Sequence, residues 1–140
     1  MSLYLDASVA VPIHIHEKAS ALVENWQSTI EDSLAIGDLA AGEFASATSR
    51  LVRMGRLTSE RADIILARFD QWLQGFERVE HVGSDVRRAA QLVRDPLPKL
   101  LMADAIHLAT CARTGHALVT LDGDLAKIAG RLGIDCIVPA

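Results

Sequence analysis

Several acidic residues in this chain stand beside apolar segments rather than in charged surroundings. Asp104 lies inside an apolar run that extends from Leu100 to Ala109, and Asp122 and Asp124 follow an apolar segment that ends at Leu121. Burying a carboxylate is unfavourable unless a partner compensates its charge. A structural explanation of Asp104 must therefore supply a buried partner, whereas a functional explanation makes this carboxylate a ligand or a catalytic group.

Two further acids, Asp6 and Glu43, occupy comparable positions in the first third of the chain. Asp6 ends a short apolar segment, and Glu43 lies close to the apolar face of a predicted helix. Carboxylates that come close together repel one another and take up a proton or a cation. Mg²⁺ and Mn²⁺ prefer oxygen ligands, keep several waters, and activate one of those waters against a phosphodiester. The acids therefore favour metal-assisted hydrolysis, and no Gly-rich phosphate loop, G-x-S-x-G or H-E-x-x-H motif favours other chemistry.

Each acid also has a structural explanation when it is taken alone. Asp6 and Asp122 could cap turns, and Asp124 could cap the helix that follows it, as Asp38 is expected to do for its own helix. Glu43 alone is readily explained as a boundary residue of an amphipathic helix. The joint pattern favours function more strongly than any single acid does.

Apolar periodicity predicts the elements that position these acids. Strands are predicted at 3–6, 34–36, 76–82, 116–121 and 134–138, and helices at 17–28, 38–54, 59–75, 84–93, 98–113 and 124–132. A helical turn follows Asp6, and Pro12 is expected to break the chain before the first of these helices. Strands alternating with helices predict an α/β fold with a mostly parallel sheet, which binds ligands at the carboxyl ends of its strands. The acids are expected to meet at that edge.

Length and composition are typical of one globular domain, predicted at 1–140. Half of the residues are apolar, yet no segment reaches the length of a membrane span, and the N-terminal segment lacks the basic leader of a signal peptide. We therefore expect a cytoplasmic protein without a membrane partner. The net charge of −4 argues against broad electrostatic capture of nucleic acid but leaves room for a local basic rim. Cys111 and Cys136 lie in apolar segments and are expected to be reduced core thiols.

The histidines are expected to be structural. His14 and His16 form an H-x-H pair after Pro12 and are predicted to be solvated or at the rim of the site, since such a pair seldom binds a metal without a third ligand. His107 stands one helical turn after Asp104 and is predicted to be a half-buried helix residue that can hydrogen-bond across the helix surface.

Four segments carry the acids in a recognisable order. They are LYLDAS with Asp6, GEFASATSRLVRMGRL with Glu43, ADAIHLATCARTG with Asp104, and LVTLDGDLAKIAGRLGI with Asp122 and Asp124. In these segments, which span nearly the whole chain, the sequence resembles the PIN-domain ribonucleases and, among them, the VapC-like toxins of bacterial toxin and antitoxin pairs.

The resemblance implies a three-layer α/β/α sandwich and an endoribonuclease site that depends on Mg²⁺ or Mn²⁺. The implied site residues are the acidic quartet Asp6, Glu43, Asp104 and Asp122, the additional acid Asp124, and the hydroxyl-bearing Ser8 and Thr120. The aspartates would hold the metal, and Glu43 would orient or deprotonate the attacking water. The resemblance also implies RNA as substrate, a homodimer, and a small antitoxin whose tail covers the acidic pocket.

Two other functions remain open at this point. A signalling receiver domain also gathers acids at strand ends and accepts phosphate there, but it requires a lysine after its last strand, where this chain has Pro139 and Ala140. A PIN-like fold retained as a catalytically inactive binding module would bind a partner whether or not Asp104 is present.

Overall fold

The computed structural model describes residues 2–140, which form a five-stranded sheet with helices packed on both faces. The strands are β1 (Ser2–Leu5), β2 (Ser33–Gly37), β3 (Glu77–Val79), β4 (Ala117–Val119) and β5 (Cys136–Ile137). Their order across the sheet is β3-β2-β1-β4-β5, and every pairing is parallel. The predicted α/β sandwich with a mostly parallel sheet is confirmed.

Seven helices connect and cover these strands in residues 2–140. They are α1 (Ala7–His14), α2 (Ser20–Ser28), α3 (Asp38–Arg53), α4 (Ser59–Leu73), α5 (Gly83–Leu92), α6 (Met102–Thr114) and α7 (Gly123–Arg131). In the part of the chain that the structure describes, none of them is long and apolar enough to cross a membrane.

The side chains of β1 alternate between the two faces, as the pleat of a strand requires. Leu3 and Leu5 belong to an apolar cluster with Val23 of α2, whereas Tyr4 belongs to a separate cluster that includes Leu108 of α6. The central strand is therefore buried from both sides and holds the two helical layers in place.

Strand register brings three loop starts to one edge of the sheet. Leu5 at the end of β1 lies opposite Ile36 of β2 and Val119 of β4. Because all three strands run in the same direction, the residues that follow them emerge side by side. This register places Asp6 next to the segment that begins at Thr120.

The prediction around Pro12 is wrong in its details. Pro12 lies inside α1, which continues to His14, and the following helix begins at Ser20 rather than at residue 17. A proline inside a helix lacks the N–H donor and crowds the carbonyl four residues earlier, and α1 ends two residues after Pro12.

Asp38, the predicted cap of α3, lies inside the first turn of that helix, and Asp85 lies inside the first turn of α5. The N-cap of α3 is Gly37, and the Asp38 carboxylate accepts a hydrogen bond from Arg78 Nη2 at 2.8 Å. Asp85 accepts instead from the backbone N–H of Val82, at 3.0 Å. An acid in the first turn is favourable for the same electrostatic reason as one at the cap, which is why the sequence pattern did not distinguish the two positions.

Helix α6 begins four residues later than the 98–113 prediction, because Leu101 has an extended backbone and is the N-cap residue. The chain from Pro98 to Leu101 therefore runs up to the helix without belonging to it, and the peptide bond between Leu97 and Pro98 is cis. The C-terminal end of α6 agrees with the prediction, since Gly115 takes a left-handed conformation with φ of 78°.

Candidate functional site

Asp6 stands where β1 passes into α1. Its side chain is the N-cap of α1, and Oδ1 accepts hydrogen bonds from the Ser8 backbone N–H at 3.0 Å and from the Ser8 hydroxyl. The residue is 5% exposed. Burial raises the pKa of Asp6, and the hydrogen bonds from Ser8 and Thr120 lower it only in part.

Hydroxyl groups join the loop after β1 to the loop after β4. The Ser8 hydroxyl donates a hydrogen bond to Asp6. Its oxygen accepts from Leu121 N–H at 2.9 Å and lies 3.3 Å from Thr120 Oγ1. Thr120 Oγ1 in turn accepts from Asp122 N–H at 3.1 Å. The two predicted hydroxyl positions therefore fix Asp6 and Asp122 relative to each other.

Asp122 is the N-cap of α7, and one of its oxygens, Oδ1, accepts from the N–H groups of Asp124 and Leu125 at 3.0 and 3.2 Å. Both Asp122 and Asp124 are exposed. With Asp104 they line a cleft of about 210 Å³, and Asp122 also lines a second cleft that contains Glu43. Asp122 therefore caps its helix, as the sequence allowed, and it also lies where the two clefts meet.

Asp104 is the third residue of α6 and is half-buried. Among the described residues, no hydrogen bond or ion pair engages its carboxylate. Burial raises the pKa of Asp104, and the negative charges of Asp6 and Glu43 raise it further. His107 acts in the opposite direction, and Asp122 adds a smaller upward contribution. The buried partner that a structural explanation required is not found among the described residues, and the two neighbours with the largest effect on the pKa of Asp104, Asp6 and Glu43, are also acids.

Glu43 projects from α3 toward the other acids and is held by a histidine. His107 Nε2 contacts Glu43 Oε1 at 2.5 Å, and His107 Nδ1 contacts the Tyr4 hydroxyl at 2.5 Å. Both His107 and Tyr4 are fully buried. The prediction of a half-buried His107 is therefore wrong, and the role of Tyr4 was missed. The only sequence signal was a histidine three residues after Asp104 in an apolar helix.

A second network lies behind the first. Leu39 N–H donates to His81 Nε2 at 3.1 Å, so the ring proton of His81 is on Nδ1 and donates to Thr110 Oγ1 at 2.7 Å. The Thr110 hydroxyl donates in turn to the Asp85 carboxylate, which also accepts a hydrogen bond from Arg113. Burial lowers the pKa of His81, in agreement with a neutral ring. This network ties the start of α3, which carries Glu43, to α6, which carries Asp104.

The donor set suits a hard divalent cation that keeps part of its water shell. In the structure of residues 2–140, the ion pairs formed by lysine and arginine involve Asp38 and Asp85, and none involves the four clustered acids. As the side chains stand, no group of three or more His, Cys, Asp or Glu within residues 2–140 is arranged to hold one metal directly. Mg²⁺ is commonly bound through one or two carboxylates and several waters, so carboxylates around a cleft that no lysine or arginine neutralises fit it without a preformed cage.

His14 and His16 are not part of this cluster. His16 is exposed, whereas His14 packs edge-on against the rings of Phe44, Phe69 and Trp72. His14 Nε2 is buried without a hydrogen-bond partner among the residues described. The prediction that both histidines are solvated or at the rim of the site is correct for His16 and wrong for His14, whose aromatic neighbours come from α3 and α4.

Comparisons with known proteins identify the family and the fold of the chain. Residues 3–131 match the family model described as PIN domain. No curated protein matches the sequence significantly. Similar solved structures include VapBC2 from Rickettsia felis bound to a promoter DNA fragment, with a TM-score of 0.72, 14% identity, and coverage of 99% of this chain and 98% of that one.

Two further structures have the same fold. VapC20 of Mycobacterium tuberculosis, a toxin that cleaves the sarcin-ricin loop, gives a TM-score of 0.72 at 15% identity over 90% of this chain and 94% of that one. A toxin-antitoxin complex from Klebsiella pneumoniae gives a TM-score of 0.68 at 18% identity, with coverage of 100% of this chain and 98% of that one. At these identities the likeness establishes the fold.

Proposed function

Because the chain belongs to the PIN domain family, we propose that it is a Mg²⁺- or Mn²⁺-dependent endoribonuclease that hydrolyses RNA phosphodiester bonds, and that it is the toxin of a toxin-antitoxin pair. The observation that carries the chemistry is Asp104. Its carboxylate is half-buried without a partner, and Asp6, Glu43 and Asp122 lie near enough to raise its pKa. Such a cluster is relieved by a cation.

Each residue has a role that follows from its position. Asp6, Asp104 and Asp122 hold the metal directly or through water, with Asp124 as a further acid at the rim of the cleft. When bound, the cation lowers the pKa of a water molecule and stabilises the leaving oxygen. Glu43 orients the attacking water or accepts its proton.

Ser8 and Thr120 support the metal-binding aspartates. The Ser8 hydroxyl donates to Asp6, and Thr120 accepts from the backbone of Asp122. The first bond orients the Asp6 carboxylate and the second fixes the backbone from which the Asp122 side chain projects, and orienting metal ligands is the usual task of groups behind them.

The test is cleavage of RNA by the purified chain with Mg²⁺, Mn²⁺ or a chelator. We expect cutting with either metal, none with chelator, and none from Asp6→Asn or Asp104→Asn. Asp70→Asn, which changes an exposed acid on α4, is the control and should cut normally. Failure of the wild-type protein to cut RNA, or cutting that survives both chelation and Asp104→Asn, contradicts the proposal. Partner binding without cutting would favour an inactive binding module.

The proposed partners are an antitoxin and a second copy of the chain. The similar structures from Klebsiella pneumoniae and Rickettsia felis support an antitoxin, whose tail would cover the acidic cleft. Expression of the chain in the cytoplasm should arrest growth, Asp104→Asn should not, and co-expression of a small neighbouring gene should restore growth. A homodimer predicts twice the 15.1 kDa chain mass in light scattering.

A further inference from the structure

His107 is a buried polar residue to which the proposed hydrolysis assigns no role. It is fully buried in α6, one turn after Asp104, among apolar side chains. The large majority of buried polar side-chain atoms have a hydrogen-bond partner. His107 has Tyr4 at Nδ1 and Glu43 at Nε2, and these partners come from β1 and α3.

The partners determine which nitrogen carries the proton. The Tyr4 hydroxyl has no other hydrogen-bond partner within residues 2–140, so its hydrogen is satisfied only if His107 Nδ1 accepts it. The imidazole proton is then on Nε2 and donates to Glu43, whose carboxylate oxygens only accept. A single direction of donation thus runs from Tyr4 through His107 to Glu43.

Neighbouring residues fix the positions of the hydrogen-bonded Tyr4 and His107 side chains. Gly37 leaves space for the Tyr4 hydroxyl, because a Cβ at Gly37 would collide with this hydroxyl and would lie 2.8 Å from the His81 ring. The His81 ring packs edge-on against His107 with centroids 5.9 Å apart, and Leu39 and Thr110 hold His81 itself. The imidazole therefore has little freedom to rotate.

Glu43, in contrast, is partly exposed, with 31% of its side-chain surface accessible to solvent. We propose that Tyr4 and His107 are positioning residues that hold Glu43 Oε1, so that its other oxygen faces the acidic cleft and the attacking water. This inference rests on the proposed function for its catalytic consequence. The hydrogen-bond chain itself can be tested separately.

The first measurement is nitrogen NMR of the imidazoles in metal-free protein. We expect wild-type His107 to be the Nε2–H form with a slowly exchanging ring proton, and we expect Tyr4→Phe to abolish the preference for that form. A wild-type His107 protonated at Nδ1, or a spectrum that Tyr4→Phe leaves unchanged, overturns the proposal. Neither result depends on nuclease activity.

The second measurement is steady-state RNA cleavage well below the melting temperature of each variant. Tyr4→Phe should lower kcat about 10- to 100-fold, as loss of a group behind a catalytic carboxylate typically does, with little change in KM. His107→Gln keeps an N–H donor and should retain more activity than His107→Leu. Equal kcat values for wild type and Tyr4→Phe would show that the hydrogen bonds from Tyr4 to His107 to Glu43 do not position Glu43 for catalysis and serve only the fold. A wild-type protein that cuts no RNA refutes the proposed function, while the NMR result still decides the hydrogen-bond chain.

Discussion

The Asp85 carboxylate allows a quantitative test of the packing behind the site. It is 2% exposed and receives hydrogen bonds from Arg113 Nε at 2.8 Å and Arg113 Nη2 at 2.9 Å. Val82 N–H and the Thr110 hydroxyl also donate to it, at 3.0 and 3.2 Å. Arg113→Met keeps much of the side-chain volume but leaves a buried negative charge with two neutral donors. We predict a large loss of stability.

The magnitude follows from burial. Removing one partner of a buried ion pair typically costs about 3–5 kcal/mol. The side chain of Arg113 is 38% exposed, so water replaces part of the lost interaction, and we expect about 2–3 kcal/mol. Unfolding entropy of about 2.1 cal/mol/K per residue, over 140 residues, converts this loss into a melting temperature lower by about 7–10 °C.

Thermal and urea unfolding measure the effect, with Arg88→Met on the exposed surface of α5 as the control, expected within about 0.5 kcal/mol of wild type. In an Asp85→Asn background, Arg113→Met should cost less than about 1 kcal/mol, because no charge is left unpaired. Equal losses in the two backgrounds would refute the reasoning from charge burial.

The pH dependence of the same variant has a defined sign. Burial acts to raise the pKa of Asp85, but hydrogen bonds from Arg113, Val82 and Thr110 outweigh it and hold that pKa below its ordinary value. The stabilisation by the ion pair is therefore complete above the unfolded pKa of about 3.9 and is lost as pH falls through the folded pKa. The stability gap between wild type and Arg113→Met should narrow on acidification below about pH 4, and a widening gap contradicts this assignment.

Two other substitutions test the site from different directions. Gly37→Ala should destabilise the protein by about 1–3 kcal/mol in urea unfolding, because its Cβ would strike the His81 ring. Gly42→Ala in α3 is the control, since its Cβ would meet nothing within 4 Å, and it should stabilise the protein by about 0.5–1 kcal/mol. Equal losses of stability in the two variants would show that a steric clash at Gly37 is not the cause. Asp104→Asn should raise the melting temperature of the metal-free protein, because burial and acidic neighbours disfavour the charge of the wild-type carboxylate. The difference in melting temperature between variant and wild type should shrink as pH falls, because the wild-type carboxyl then takes up a proton. Mn²⁺ should then raise the melting temperature of wild type more than that of Asp104→Asn, and equal shifts would count against metal binding at this acid.

The sequence was sufficient to predict the meeting of the acids. Apolar segments that end in an acid indicated strands followed by Asp6 and Asp122, and the rule that parallel strands present their carboxyl ends at one edge brought these residues together. Asp104 was predictable for another reason, since a carboxylate in an apolar helix has few structural explanations. These signals are local, or depend only on strand direction.

The supporting contacts could not be predicted because their partners are distant in sequence. Tyr4 and His107 are 103 positions apart, and neither has a local motif that indicates the other. His14 was misplaced for the same reason, since its aromatic neighbours belong to helices whose packing against α1 the pattern did not specify. The start of α6 was missed because a proline is equally acceptable in the first turn of a helix and just before it.

The position of β4 beside β1 in the sheet also determines when the acidic cluster can assemble during synthesis of the chain. Ser8 and Thr120, which join the two halves of the cluster, are 112 positions apart. Ribosomes add about 5–20 residues per second, so roughly 4–16 s separate the synthesis of Glu43 from that of Asp122. During that interval the emerging chain carries β1 and β2 but lacks the strand that flanks β1 on the other side. A partly made chain therefore holds an incomplete set of acids, and the cluster assembles only when β4 pairs with β1.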